Sequence, residues 1–266
     1  MTHQQYAWRK NVRVLVVEDN LTNQALIREQ LAVLGYTTHV VGDAAKALEF
    51  LDHERYDVVL MDCELPGMDG YHATTEIRRQ EGNRRHLKII ALTAHVAEDQ
   101  TQRCLAAGMN GYLSKPVKLR TLAETLDAHS YNETIAAPDS QPGRSEKTAD
   151  ELDPEVLAEI LELSKAIGRN IFHELVDKFL SDLSPRVKML TAALKSGDMS
   201  QLVVVTHPLR SASAIVGARR FSEICTNVER CARNGEVDQA NSLAKELLKA
   251  AQMLPSALRG AANYSA

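Results

Sequence analysis

The stretch VVLMDCELPGMDG, residues 58–70, begins with a short apolar run that passes directly into a carboxylate, Asp62. The run indicates a strand at 57–61, and similar runs predict strands at 12–17, 37–41, 87–92 and 111–113. Amphipathic segments predict helices between Asn20 and Gly35 and at 44–53, 70–81, 98–107 and 118–128. Strands that are apolar along their whole length are buried on both faces. The alternation therefore predicts a parallel five-stranded sheet covered by helices on both sides.

The chain changes character after residue 130. Residues 130–151 are rich in Asn, Pro, Ser, Asp and Gly and contain almost no large apolar side chain, which predicts a flexible linker. Beyond this segment, cap residues before Pro154 and Pro185 and stops at Gly197 and Gly235 predict helices. The predicted helices are 154–163, 168–182, 185–196, 199–217, 219–233 and 236–250. This second region is predicted to be an all-α four-helix bundle.

These patterns predict two domains, as does the length of 266 residues. The lead-in covers 1–11, and the α/β domain follows at 12–129. The linker covers 130–151, the helical domain 152–258, and a C-terminal tail 259–266.

The composition excludes several classes of function. The net charge of −4 offers no broad basic surface, so no nucleic-acid partner is expected. The four cysteines lack the spacing of a zinc site or of a disulfide framework. No apolar run approaches the roughly 18 residues that a membrane span requires. We therefore expect reduced thiols, no membrane segment in this chain and a cytoplasmic location.

Five polar residues follow the predicted strands at their carboxyl ends: Glu18, Asp19, Asp62, Thr93 and Lys115. Because these ends meet at one edge of a parallel sheet, the side chains should converge there. Any one of the acids could be a solvated loop residue or a helix cap, but that explanation does not cover the five together. Crowded carboxylates call for a hard cation, and Mg²⁺ (or Mn²⁺), held by Glu18 and Asp19, suits their oxygen ligands. With the metal, Lys115 and Thr93 screening a phosphoryl group, Asp62 can act as a nucleophile toward phosphorus.

The motifs VLVVEDN (14–20), VVLMDCELPGMDG (58–70), IIALTA (89–94) and GYLSKP (111–116) resemble those of the receiver domains of two-component response regulators. The resemblance implies a flavodoxin-like doubly wound sheet with strand order 2-1-3-4-5. It also implies a cis peptide between Lys115 and Pro116 and a metal contact from the backbone carbonyl of Glu64. Finally, it implies a switch in which Thr93 moves toward the phosphoryl group while Tyr112 turns inward.

A second candidate site lies on the predicted helix at 199–217. Its apolar stripe repeats every three or four residues and consists of Leu202, Val205, Leu209, Ala212 and Val216. His207 lies on the opposite side of the helix, where we expect it to face water. The residues predicted to surround it are Val203, Val204, Arg210, Ser211 and Ala214. The valines and the small residues offer a docking surface, and Arg210 could bind a phosphoryl group carried by the imidazole.

The string THPLRSASAIVGA, residues 206–218, resembles the H-x-L-K-G-S-x-x-x-x-G signature of histidine phosphotransfer (HPt) domains. It departs from that signature at Arg210, where the family usually has Lys, and at Ser211, where the family usually has Gly. Arg keeps the positive charge and Ser is still small, so the resemblance still implies phosphoryl transfer at His207. A receiver domain followed by an HPt domain is also the order at the cytoplasmic end of hybrid sensor histidine kinases.

The leading hypothesis is a phosphorelay. Asp62 would accept a phosphoryl group from the phosphohistidine of a sensor histidine kinase, and His207 would exchange one with the receiver domain of a downstream response regulator. The chain carries no ATP-binding kinase motif, so a partner kinase is required. Two alternatives stay open: a phosphorylation-gated binding module without transfer at His207, and a magnesium-dependent phosphatase with Asp62 as nucleophile. The sequence also leaves open whether the receiver dimerises and whether the chain is free-standing or the tail of a hybrid kinase.

Overall fold

The computed structural model describes residues 11–81, 86–94, 98–130 and 152–264. The chain divides into two compact units, 1–142 and 143–266. Most of the predicted lead-in, 1–11, and nearly all of the predicted linker, 130–151, lie outside the described residues. Each unit is therefore described by itself.

The first unit is built on a five-stranded parallel sheet. Its strands are β1 (Arg13–Val17), β2 (Thr37–Val41), β3 (Val58–Asp62), β4 (Lys88–Thr93) and β5 (Gly111–Ser114). Its helices are α1 (Leu21–Val33), α2 (Ala44–His53), α3 (Gly70–Glu81), α4 (Glu98–Ala106) and α5 (Leu119–Ser130). The strand order is β2-β1-β3-β4-β5, and every neighbouring pair is parallel. The doubly wound order implied by the resemblance is confirmed, as is the cis peptide between Lys115 and Pro116.

Side chains that alternate along the strands form two separate cores, one on each face of the sheet. Leu15, Val59 and Ile89 point to the face that is covered by α2, α3 and α4. Their neighbours on the strands point to the opposite face, which α1 and α5 cover through residues such as Ile27 and Leu122. Because both faces are covered, all five residues of β3 are buried, which explains the continuous apolar run in the sequence.

The second unit is helical throughout its described residues. Its helices are α6 (Pro154–Ile167), α7 (Ile171–Ser196), α8 (Met199–Ile215), α9 (Arg219–Arg233) and α10 (Val237–Tyr264). Each of the long helices α7 to α10 packs against the next, and α10 packs back against α7, which closes a four-helix bundle. The rings of Phe179 and Phe221 meet edge to face inside it, with centroids 6.3 Å apart. None of the helices in the described ranges combines the length and the apolar composition that crossing a bilayer requires.

The predicted helix break at Pro185 is wrong. Helix α7 continues through this exposed proline from Ile171 to Ser196. Pro185 has no amide hydrogen to donate within the helix, but the buried side chains of Leu183 and Leu190 lie on either side of it. Burial of this continuous apolar face outweighs the local cost of the proline. The last helix is also longer than predicted, since α10 runs past residue 250 to Tyr264.

We predict that Pro185→Ala stabilises the helical unit. The substitution restores a backbone hydrogen bond and removes the ring clash, so the free energy of unfolding should rise by about 2 kcal/mol. Pro154→Ala is the matched control, because Pro154 lies in the first turn of α6, where no intrahelical donor is needed. Urea denaturation followed by circular dichroism measures both variants. An unchanged midpoint for Pro185→Ala would contradict the prediction.

Candidate functional site

The polar residues at the strand ends of the first unit come together in the structure. The Lys115 Nζ atom, just after β5, lies 2.5 Å from Asp62 Oδ2 at the end of β3. The same nitrogen lies 2.6 Å from Glu18 Oε2, just after β1. Oxygen atoms of Glu18, Asp19 and Asp62 all lie within 4.8 Å of one another. The convergence expected from the direction of the strands is therefore observed.

Glu18 is held by the first turn of α1. Its Oε1 atom accepts hydrogen bonds from the backbone N–H of Asn20, at 3.2 Å, and from Asn23 Nδ2, at 2.8 Å. Asn20 also caps α1, accepting from the amides of Thr22 and Asn23, as the sequence predicted. The role of Asn23 was not predicted, because the apolar periodicity of α1 contains no sign that a buried amide faces Glu18.

Burial and neighbouring charges shift the titration of this cluster. Glu18 is fully buried, and burial, together with the charges of Asp62 and Asp19, raises its pKa to about 7 although Lys115 opposes the shift. Burial alone would lower the pKa of the Lys115 ammonium. The carboxylates of Asp62 and Glu18 outweigh burial and raise that pKa above its ordinary value. Lys115 therefore stays positively charged beside Asp62.

The loop after β3 fixes Asp62 through backbone contacts. Asp62 Oδ1 accepts a hydrogen bond from the backbone N–H of Glu64 at 3.0 Å, and the Cys63 amide donates to Leu92 at 3.1 Å. Gly70, the first residue of α3, packs directly on this turn. A Cβ atom added at Gly70 would lie 2.1 Å from the carbonyl oxygen of Asp62, so only glycine fits there. Gly70 is a site residue that our sequence analysis did not single out.

The two predicted switch residues lie at β4 and β5, and the side-chain contacts that the structure shows for them are not with the carboxylates. Thr93 is buried at the end of β4, and its hydroxyl donates a hydrogen bond to Gln100 Oε1 of α4 at 2.8 Å. Tyr112 on β5 is half-buried and packs against the core on the α2, α3 and α4 face. Their coordinated movement stays a prediction.

The donor set fits a hard divalent cation. Glu18, Asp19 and Asp62 offer carboxylate oxygens that are close enough to share one ion, which is the chemistry that Mg²⁺ prefers. Glu18 already accepts hydrogen bonds at Oε1 and contacts Lys115 through Oε2, so much of its accepting capacity is used. Asp19 is the less buried of the two acids after β1, which makes it the more accessible ligand.

In the second unit, His207 on α8 contacts the neighbouring helix α9, a contact that the sequence did not predict. His207 Nδ1 lies 3.2 Å from Arg210 Nη2 and 3.5 Å from Glu229 Oε2 of α9. The apolar stripe of α8 is buried as expected. On the other side of this helix, α9 brings a carboxylate that no pattern within α8 reveals.

Arg210, predicted on the exposed side of α8, forms an ion pair with α9. Its Nη1 atom donates to Glu229 Oε2 at 3.1 Å, and Glu229 is itself 1% exposed. Arg233 Nη2, one turn further along α9, lies 3.4 Å from the same carboxylate oxygen. Glu229 therefore holds two cations and the imidazole together, and it is the functional candidate that the sequence analysis missed.

The predicted docking residues lie at the surface of α8. Val204 is 54% exposed, while Val203, Ser211 and Ala214 are partly exposed. They surround an imidazole that is shielded on its Nδ1 side.

We predict a pH-dependent stability that originates at Glu18. Its pKa is about 7 in the folded chain against an ordinary value of 4.5, so between these values the folded state holds a proton that the unfolded state has released. The contribution of Glu18 to the free energy of unfolding is therefore fully present at low pH and is lost as the pH rises from 4.5 to 7. With a chelator present, Glu18→Gln should gain about 3 kcal/mol over the wild type between pH 5 and pH 8.

Urea denaturation at the two pH values measures this difference. Glu49→Gln, at an exposed position of α2, is the matched control and should show the same small effect at both. A Glu18→Gln variant that differs from the wild type equally at pH 5 and pH 8 would refute the raised pKa.

Two family models match the chain. Residues 14–127 match the response regulator receiver domain, and residues 174–257 match the Hpt domain. The sensor histidine kinase GacS of Pseudomonas protegens is 31% identical over 82% of this chain and 24% of its own length. The virulence sensor protein BvgS of Bordetella bronchiseptica is 27% identical over 94% of this chain and 21% of its own length. The chain thus spans about a quarter or less of these curated relatives.

Solved structures resemble the first unit. The receiver domain of the sensor histidine kinase PA1611 from Pseudomonas aeruginosa, whose crystal structure has magnesium coordinated in the active site cleft, is 46% identical. The match has a TM-score of 0.41 and covers 44% of this chain and 94% of that domain. With the two family models matched in this order along the sequence, the chain is identified as a response regulator receiver domain followed by an Hpt domain.

Proposed function

We propose that this chain is a phosphorelay module. Asp62 accepts a phosphoryl group from the phosphohistidine of a sensor kinase, and His207 carries a phosphoryl group to or from a receiver domain. The observation that carries the proposal is the buried contact of Lys115 with Asp62, which puts a fixed positive charge at the oxygen of the acceptor.

In the first transfer, a carboxylate oxygen of Asp62 forms a bond to phosphorus while the bond from phosphorus to the donor imidazole breaks. Repulsion between the carboxylate and the phosphoryl oxygens opposes this approach. The Lys115 ammonium reduces that repulsion from one side. The Glu64 N–H, which donates to Asp62 Oδ1, keeps the acceptor oriented during the step.

The metal belongs to the same step. Asp19, Asp62 and the backbone carbonyl of Glu64 would provide ligand oxygens for Mg²⁺ or Mn²⁺, while Glu18 contributes charge and its remaining accepting capacity. When bound, the ion neutralises negative charge on the phosphoryl oxygens. The carboxylate donor set supports this proposal, since it consists of hard oxygen ligands only.

Phosphorylation would then change the hydrogen bonding of Thr93. Its hydroxyl now donates to the neutral amide oxygen of Gln100. A phosphoryl dianion on Asp62 is a stronger acceptor, so the hydroxyl would turn toward it. Tyr112, half-buried on the next strand, would occupy the space that Thr93 leaves.

At His207, we assign phosphoryl transfer to Nε2, because Nδ1 is engaged by Arg210 and Glu229. Arg210 can only donate and Glu229 can only accept, and both lie beside Nδ1. Transfer at Nε2 uses the tautomer with the proton on Nδ1, in which that proton is directed at Glu229 and Arg210 turns from the ring toward the transferred group. In the second transfer, Nε2 bonds to phosphorus as the bond between phosphorus and an aspartate oxygen breaks. The positive charge that develops on the ring is stabilised by Glu229. Arg210, already within 3.2 Å of the ring, is placed to contact the transferred group.

The partners of such a module are a sensor histidine kinase and a response regulator receiver domain. The exposed side chain of Val204 and the small residues Ser211 and Ala214 suit a flat protein surface approaching His207. A receiver dimer and the cytoplasmic location stay predictions.

Phosphoryl transfer from a phosphorylated cognate kinase tests the proposal. We expect a base-labile label on the wild type that Asp62→Ala abolishes, and an acid-labile, base-stable label that His207→Gln abolishes. Asp52→Ala and His173→Gln, at exposed positions of the same two units, are the matched controls and should keep both labels. Absence of the label on Asp62 would refute the proposal, and absence of only the acid-labile label would favour a gated binding module instead.

A second prediction concerns Glu229. Glu229→Gln leaves the buried Arg210 without a carboxylate and should destabilise the helical unit by about 3 kcal/mol, besides slowing transfer at His207. Glu223→Gln, on an exposed ion pair of the same helix, is the control and should cost less than about 1 kcal/mol. The double variant Arg210→Gln with Glu229→Gln should recover stability but not transfer. Recovery of both would show that Glu229 has a structural role only.

A further inference from the structure

Gln30 is a polar residue buried in the apolar core between α1 and the sheet. It is 4% exposed, and its Nε2 atom donates a hydrogen bond to the backbone carbonyl of Val117 at 2.8 Å. Its Oε1 atom is buried and has no hydrogen-bond partner. Its neighbours on α1, Ile27 and Leu31, and its bonding partner Val117 belong to an apolar core. Among the residues that the structure describes, the side-chain amide of Gln30 therefore has one hydrogen-bond partner, the Val117 carbonyl.

Val117 lies on the short loop that connects β5 to α5, two residues after Lys115. This loop carries the ammonium that contacts Asp62 and Glu18. The backbone N–H of Lys115 donates to the Thr93 carbonyl at 2.7 Å, which ties the start of the loop to the sheet. The hydrogen bond from Gln30 to the Val117 carbonyl ties the next part of this loop to α1.

Helix α1 thereby holds two parts of the acceptor site at once. Its first turn fixes Glu18 through Asn20 and Asn23, and its last turns fix the Val117 carbonyl through Gln30. A single helix is a rigid element with a fixed rise per residue. The distance between the Glu18 carboxylate and the loop that carries Lys115 is therefore set by one helix rather than by a flexible connection.

Stability does not explain a glutamine at this position. A buried polar atom left without a partner costs about as much as a neutral hydrogen bond returns. Methionine has a similar volume and would remove the unpaired Oε1 atom, but it would leave the Val117 carbonyl without the Gln30 donor, so the two costs largely offset each other. A function that requires the bond to Val117 accounts for the residue better than packing does.

We propose that Gln30 is a positioning residue for Lys115. By holding the Val117 carbonyl, it fixes the loop from which the ammonium reaches Asp62, and so it sets the rate at which Asp62 accepts a phosphoryl group. The inference rests on the proposed phosphorylation of Asp62.

The test uses the full chain with His207→Gln, so that the label stays on the first unit, and acetyl phosphate as donor. In this reaction an Asp62 oxygen bonds to phosphorus and acetate leaves. Gln30→Met should slow labelling by about tenfold or more, as expected for a small displacement of a catalytic group. The midpoint of urea denaturation should not fall, and the affinity for Mg²⁺, measured by calorimetry, should be unchanged. Gln80→Met, the same change at an exposed position of α3, is the control and should label at the wild-type rate.

A double variant separates positioning from a general defect. In a chain with Lys115→Ala, adding Gln30→Met should produce no further loss, because the group that Gln30 positions is gone. An equal loss in both backgrounds, or a labelling rate that falls only together with the denaturation midpoint, would overturn the proposal.

The role of Gln30 can also be tested without phosphoryl transfer, by measuring how fast the Lys115 amine is acylated. The result does not depend on whether Asp62 is phosphorylated. The Lys115 amine is 8% exposed, and its acylation by an amine-reactive ester can be followed by mass spectrometry. Acylation should be faster in Gln30→Met than in the wild type or Gln80→Met. If acetyl phosphate does not label the wild type, the result counts against phosphorylation of Asp62. If Lys115 is acylated at the same rate in Gln30→Met as in the wild type, the result counts against the role of Gln30.

Discussion

The buried contact between the Lys115 ammonium and the carboxylates of Asp62 and Glu18 is the constraint on which the receiver unit depends. Charges in a core are tolerated only when they are paired at close range, and here one cation serves two anions at 2.5 and 2.6 Å. The three residues come from the ends of three different strands. The contact therefore requires β1, β3 and β5 to end at the same edge, and with Asp19 added it leaves a net negative pocket that attracts a cation.

The two candidate sites use a buried pair of a cation and a carboxylate in different ways. In the receiver unit, Lys115 contacts Asp62, the proposed acceptor, so a positive charge is already in place where a phosphoryl group would bind. In the helical unit, Arg210 is paired with Glu229, and His207, the proposed phosphoryl carrier, lies beside that pair. Glu229 thus acts on both the ring and the cation, which makes the properties of His207 dependent on a neighbouring helix.

The sequence could predict a site residue when the direction of its own strand or helix determines its position, and could not when the residue acts through a contact with another element. Asp62 and Lys115 were predictable because the direction of parallel strands alone places their ends at one edge. Gly70, Gln30 and Glu229 were not, because each acts on a residue of another element, and no periodicity within one helix reports what faces it. Pro185 was misinterpreted for a related reason, since a local rule for helix ends was overridden by burial along the whole length of α7.

Both units also contain buried oxygens that stability alone would not retain. Gln30 Oε1 and Glu229 Oε1 each lie in a core without a hydrogen-bond partner, at a cost of about 1–3 kcal/mol. Each belongs to a side chain that also contacts a candidate site. Gln30 holds the loop that carries Lys115, and Glu229 contacts Arg210 and His207. Domains are stable by only about 5–15 kcal/mol, so one such cost in each unit is a substantial fraction. Their position next to the candidate site residues indicates that these side chains are retained for the geometry they impose.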